Sequence, residues 1–244
     1  MKSMRRTTRI LCNVALNSAK IFIKTKSFQK VINSLFYDKN KLIIESPEYI
    51  DYIVMRDGNK YYMSRLINGV MQAQQDYIFD DIRKDDIVID IGASIGGFSI
   101  PASKKAKYVY AVEPMTPDLL RKNILLNERE NIDVLDVALG DGKTATIEWL
   151  GESRTVKTKT LSEIKKMCGG CDFLKIDCEG CEWNIKPEEL DGIRRIEMEV
   201  HKVGFPLSIM EERLSKAGFN YEVENQPEGY IGLWLIHARR ENRE

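Results

Sequence analysis

The sequence predicts an α/β protein: a doubly wound, mostly parallel Rossmann-like sheet with an N-terminal helical and β extension. Three observations carry that expectation. Short β-branched runs alternate with helical patterns from residue 87 onward. One run, Ile87 to Ile91, is followed at once by Gly92, Gly96 and Gly97. The next ends in an acid, Glu113, 21 residues beyond Gly92.

The extension is expected over residues 1–79 and the sheet domain over 80–244. Residues 8–30 fit an amphipathic helix, with Ile10, Leu11, Val14, Ser18, Ile21 and Phe22 on one stripe. Residues 1–30 carry Lys2, Arg5, Arg6, Arg9, Lys20, Lys24, Lys26 and Lys30 with no acid, a charge of +8. The remainder holds 29 basic and 37 acidic residues. Such a helix packs on the domain, lies on an anionic membrane, or grips nucleic-acid phosphates. Strands are expected at Leu42 to Ile44, Tyr49 to Met55 and Tyr61 to Met63, the last two joined by the turn signal Asp57-Gly58-Asn59. A helix over 64–82 completes the extension.

The sheet domain then reads in order. Strand one is Ile87 to Ile91, buried on both faces. A short helix runs through Pro101 to Lys105. Strand two is Tyr108 to Val112. A helix from Pro117 to Glu128 opens with Thr116 as cap and Pro117 at its first position. Strand three is Ile132 to Leu139. A hairpin, Ala145 to Leu150 and Thr155 to Thr160, precedes a helix over Leu161 to Met167. Asp172 to Asp177 and Arg194 to Val200 are strands four and five. A helix from Ile209 to Ala217 stops at Gly218, and Tyr221 to Glu224 pairs with Tyr230 to Ala238. That last pairing puts one antiparallel strand in the sheet.

At 244 residues, 43% hydrophobic and 30% charged, the chain can bury one sizeable soluble core. No apolar run approaches the ~20 residues that span a bilayer. The start lacks the apolar core and cleavage site of a secretory leader. Five cysteines, an odd number, point to a reducing compartment. The expected location is the cytoplasm, at the inner face of the membrane if the basic helix lies on lipid.

The glycine turn is Asp-x-Gly-x-x-x-Gly-Gly, with Ser94 where a dinucleotide fingerprint has its second glycine. An acid so close would repel a pyrophosphate but suits a cationic ligand. S-adenosylmethionine carries an ammonium and a sulfonium and no phosphate. Glu113 stands where a carboxylate accepts ribose hydroxyls. Asp136, near the end of strand three, stands where a nucleobase sits. With Asp177 these acids line the carboxyl rim of the sheet, and they repel each other unless a cation lies among them.

His201, ending strand five, is matched to proton abstraction at neutral pH, with Asp177 and Glu179 as rival bases. Cys168-x-x-Cys171 and Cys178-x-x-Cys181 resemble a zinc ribbon in number only. The strand between them sets the pairs roughly 20 Å apart, too far for one ion. No metal is expected, which leaves buried thiols or a redox pair.

The segments Asp90 to Ser99, Val112-Glu113-Pro114, Asn123-x-x-x-Asn127, Val137-Ala138-Leu139 and Leu174 to Glu182 together resemble the FkbM-type S-adenosylmethionine-dependent methyltransferases over residues 80–240. The resemblance implies a class I methyltransferase fold and O-methylation of a sugar, glycan or related metabolite. It assigns Asp90, Gly92 and Ser94 to the methionine end of the cofactor, Glu113 to the ribose, Asp136 with Val137 to adenine, and Asp177 to the site mouth near the methyl group. Ala93, Gly96, Phe98 and Pro114 are expected at the cofactor as well.

Nucleic acid is disfavoured as a partner, because the catalytic domain is net acidic. The chain also lacks the Asn/Asp-Pro-Pro-aromatic segment of amino-methylating enzymes and a Pro-Cys nucleophile pair. The alternatives kept are an RNA methyltransferase using the basic N-terminus and a non-catalytic cofactor-binding module. Oligomeric state is not legible.

Overall fold

The structure is a computed structural model, and it describes residues 43–45, 52–62, 64, 66–225 and 233–240. The expected amphipathic helix over 8–30, with its membrane contact, lies outside these residues. By contact the chain divides into two compact units, Met1–Arg65 and Leu66–Glu244.

The first unit holds an antiparallel sheet of β1 (Ile43–Glu45), β2 (Tyr52–Met55) and β3 (Lys60–Tyr62). The β2–β3 turn forms because Gly58 takes φ 82° and the Asn59 N–H donates to Asp57 Oδ1 at 3.0 Å. Ile53, Met55 and Tyr61 are buried.

The second unit begins with α1 (Ile67–Asp76) and builds a sheet from β4 (Ile87–Ile91), β5 (Tyr108–Val112), β6 (Ile132–Leu135), β10 (Phe173–Ile176), β11 (Arg195–His201), β12 (Asn220–Asn225) and β13 (Leu233–Arg239). Among the described residues the order is β12-β13-β11-β10-β4-β5-β6. Neighbours are parallel except that β13 runs antiparallel to both β11 and β12. This is the class I methyltransferase Rossmann-like fold. Helices α2 (Ser99–Ala102), α3 (Pro117–Leu126), α4 (Leu161–Cys168) and α5 (Leu207–Lys216) make the connections. The order reverses between β4 and β10, so the crevice beyond their carboxyl ends is where such a sheet takes a ligand.

Expected strand three divides. Ile132–Leu135 joins the sheet, whereas β7 (Ala138–Leu139) pairs with β9 (Glu152–Lys159), itself in a hairpin with β8 (Thr144–Trp149). Asp136 and Val137 are the crossing point. Helix α4 starts where a capping box allows: Thr160 Oγ1 accepts from Glu163 N–H, and the Glu163 carboxylate accepts from Thr160 N–H. It stops at Gly169, in a left-handed conformation.

The strands are not uniformly apolar. Asp90, Lys175, Glu197 and His237 stand in register on four adjacent strands and are all buried. Signs along this row alternate, which suits cross-strand neighbours. Along β11 the side chains alternate too. Ile196, Met198 and Val200 enter the apolar core, so Arg195, Glu197, Glu199 and His201 share the opposite face.

Candidate functional site

The glycine turn is shaped by the chain's own backbone. A Cβ on Gly92 would fall 1.7 Å from the Asp177 carbonyl oxygen, so the β4 and β10 loops touch only because position 92 has no side chain. A Cβ on Gly97 would fall 2.8 Å from the Val70 Cα, which lets α1 pack on the turn. Phe98 is buried, stacked on Phe79 at 4.8 Å and edge-on to Tyr77 at 5.8 Å. It supports the turn from below and offers no open face, against its expected place at the ligand. Ala93 is buried as well, whereas Gly92 and Ser94 are half-buried.

Asp90 is fully buried. Its Oδ2 accepts from Ser99 Oγ at 2.5 Å, and its Oδ1 faces Lys175 Nζ at 3.1 Å. That Lys175 nitrogen also donates to the Gly92 carbonyl at 2.9 Å, lies 3.8 Å from Asp177 Oδ2, and stands 5.3 Å from the Tyr77 ring centre. Burial lowers the lysine's proton affinity, but Asp90 and Asp177 outweigh it and hold the pKa above its usual value. The cation expected among the rim acids is therefore supplied in part by the protein.

Glu113 is buried with three backbone donors: Ser94 N–H at 2.7 Å, Met115 N–H at 2.6 Å and Thr116 N–H at 2.8 Å. Desolvation raises its pKa, and those donors oppose the rise. A carboxylate has about four acceptor positions, so one remains for a ligand hydroxyl. Asp136 is exposed and shared between Arg121 at 3.7 Å and Arg154 at 3.4 Å; Arg154 also donates to the Pro114 carbonyl. Val137 packs against the core. A half-open glycine turn, a buried acceptor one strand over and an exposed acid on the next fit S-adenosylmethionine's amino acid, ribose and base in order.

The other side of the crevice brings Asp177, Glu179 and His201 together, as expected. It adds Glu182 and Glu199, which were not among the expected site residues. His201 is buried, with Nδ1 3.2 Å from Glu182 Oε1 and Nε2 3.3 Å from Glu179 and 3.4 Å from Glu199. Burial works against its proton, yet the Glu182 hydrogen bond and the surrounding carboxylates raise its pKa to about 9. Those carboxylates favour the imidazolium, which weakens His201 in the role of base that its place at the end of strand five suggested. Glu199, raised to about 7 by burial and then by Asp177, is the group poised near neutrality. Tyr77 donates to Asp177 Oδ2 at 3.1 Å, and burial with the Asp177 charge keeps its hydroxyl protonated.

Asp177, Glu199 and His201 each bring a ligand atom within 4.8 Å of the others, a spacing that a metal ion accepts. The Lys175 and His201 cations already sit on these carboxylates, and we assign no metal. The missed residues left a trace in the sequence. Arg195-x-Glu197-x-Glu199-x-His201 is a period-two polar run inside an apolar strand, and Lys175 is a lone cation in another.

Residues 57–156 match the family model for the TRM5/TYW2 methyltransferase domain. The matched residues thus resemble part of a methyltransferase domain, in keeping with the fold described above. The match overturns the FkbM resemblance, since TRM5/TYW2 is a different family. Within the structure, the Lys-Ile-Asp-x-Glu-Gly part of the Leu174 to Glu182 segment serves internal pairing through Lys175 and Asp177. The match also overturns the glycan acceptor and the exclusion of nucleic acid, because that family acts on tRNA.

An uncharacterized protein of Methanocaldococcus jannaschii is 40% identical over 65 residues, covering 26% of this chain and 24% of the relative. A probable ribosomal RNA small subunit methyltransferase A of Methanosphaera stadtmanae is 37% identical over 57 residues, covering 22% and 21%. The chain therefore spans under a quarter of the length of these curated relatives. Among solved structures, M. jannaschii TYW2 in complex with AdoMet aligns at 18% identity over 81% of this chain and 90% of that one, with a TM-score of 0.47.

Proposed function

We propose that the protein transfers the methyl group of S-adenosylmethionine to RNA, with tRNA as the first candidate. The observation that carries this reading is the TRM5/TYW2 match over residues 57–156. Two features of the chain support it. Residues 1–30 hold eight basic residues and no acid, a composition suited to phosphates. On the loop after β11, Val203 and Phe205 are 50% and 48% exposed, and Phe205 leans on Trp183 at 5.1 Å. The Trp183 indole N–H donates to the His201 carbonyl at 2.8 Å, so this aromatic step adjoins the carboxylate-rich side of the crevice. RNA is read through unstacked bases laid on such aromatic faces.

The test is transfer of labelled methyl from S-adenosylmethionine to an unmodified tRNA transcript pool, beside ribosomal RNA and polysaccharide fractions. Label in tRNA supports the reading; label confined to polysaccharide, or to nothing, refutes it. Phe205→Ala should weaken RNA binding by about 1–3 kcal/mol, the range for loss of one base stack. Phe205→Trp should keep most of it, and cofactor affinity should not change in either.

A further inference from the structure

The second unit carries two Cys-x-x-Cys pairs, and they differ in state. Cys178 and Cys181 are joined by a disulfide. Cys168 and Cys171 are free and buried; burial pushes the Cys168 thiol up to about 12 and the Cys171 thiol higher still. A thiol that cannot ionise is inert towards exchange. The bridged pair, by contrast, is only half-buried.

We propose that Cys178–Cys181 is a reversible thiol–disulfide site that sets the shape of the Asp177–His201 side of the crevice. It rests on the RNA methyltransferase reading only for the reaction it would modulate. A bridge between residues three apart closes a very small loop, so it restrains the unfolded chain little. Its effect is local, on the turn from Asp177 to Glu182.

That turn is where the site's contacts converge. Glu179 is a non-glycine residue at φ 56°, and Gly180 follows at 105°. Glu182 accepts from Gly180 N–H at 2.9 Å and from His201 N–H at 2.6 Å. The Asp177 carbonyl lies against Gly92 in the glycine turn. A Cβ on Gly180 would stand 3.0 Å from Val203, on the loop that carries Phe205. One covalent link thus spans the segment that touches His201, the glycine turn and the aromatic step.

The exchange is balanced by a dithiol. One of its thiolates attacks a sulfur of the bridge, and the Cys178–Cys181 bond breaks to give a mixed disulfide. The second thiolate displaces the protein sulfur, leaving two protein thiols and an oxidised reductant. Two electrons and two protons pass to the chain. Without the bridge, nothing covalent holds Glu179 in its left-handed conformation.

The test uses the full chain in buffers of rising reduced-to-oxidised dithiothreitol ratio. Thiols are mapped by alkylation and mass spectrometry, amide hydrogen exchange is followed at Gly180 and His201, and S-adenosylmethionine binding is measured by calorimetry. Cys178 and Cys181 should become alkylated together while Cys168 and Cys171 stay protected. Exchange at the two amides should then speed about tenfold or more. Cys181→Ser should show the fast exchange at every ratio, and Cys168→Ser should follow the unaltered chain. A pair that stays bridged throughout, or amides indifferent to its reduction, overturns the proposal. Redox-dependent exchange with no RNA methylation in either state would refute the RNA reading and leave this site standing.

Discussion

The two sides of the crevice solve the same electrostatic problem in opposite ways. On the glycine-turn side each acid has its own fixed partners: Asp90 has Ser99 and Lys175, and Glu113 has three backbone N–H groups. On the other side Asp177, Glu179, Glu182 and Glu199 crowd around one histidine, and burial with the Asp177 charge raises Glu199 to about 7. The first arrangement is a scaffold whose acids are matched by fixed donors within the fold. The second leaves charge that responds to pH, ligand or redox state. The difference teaches that a row of rim acids is not one site, and that Lys175, which touches both Asp90 and Asp177, is the hinge between them.

Lys175→Met strikes that hinge and should have the largest effect. It would leave Asp90 buried beside an apolar side chain, and breaking a buried pair from one side costs about 3–5 kcal/mol. The urea midpoint should fall with the slope unchanged. Adding Asp90→Asn should recover part of the loss, because the stranded charge goes as well. A double variant as unstable as the two singles added would show that the residues do not form a unit.

How much of this was legible beforehand follows from where each signal came from. The alternation of buried runs with helical patterns placed the strands of the domain to within a few residues, because parallel strands buried on both faces are apolar along their length. The break after Leu135 was not legible. Asp136 and Val137 look like strand, and only the pairing of Ala138 and Leu139 with β9 shows that they leave the sheet. In the site, the acids were found but their partners were not. Lys175 reads as an accident until the register sets it beside Asp90, and Glu199 matters only once Asp177 and His201 lie next to it. The acceptor was misread because the signals read, the glycine turn and the acid after the second strand, are ones expected to answer to the cofactor, which methyltransferases of many substrates share.

The pH dependence of stability separates the two sides next. His201 binds its proton more tightly folded, at about 9, than at its ordinary 6.5. Its stabilising contribution is complete below about pH 6.5 and is lost as pH rises through about 9. Glu199, at about 7 against 4.5, acts in the same sense at lower pH. Its contribution is present below about 4.5 and gone above about 7. Stability should therefore decline from about pH 5 to 9, with about 1–2 kcal/mol from His201 after allowing for solvent around the exposed Glu179. His201→Gln should flatten the part above about pH 6.5. The same decline in that variant would place the titration elsewhere. Glu199→Gln should lower the pH at which His201 loses its proton, read from its imidazole resonances.

The smallest change tests whether the two sides communicate through hydrogen bonding at all. Tyr77 lies just beyond α1, and its hydroxyl reaches Asp177 while its ring faces the Lys175 ammonium. Tyr77→Phe keeps the ring, and with it the contact to Phe98, and removes only the donor. The expected loss is about 0.5–1.5 kcal/mol, the net worth of one such bond. Because Asp177 would then turn more fully towards Lys175, the loss should grow in a Lys175→Met background, where that second partner is gone. Equal losses in both backgrounds would mean that Asp177 answers to Tyr77 alone, and that the sides of the crevice are independent.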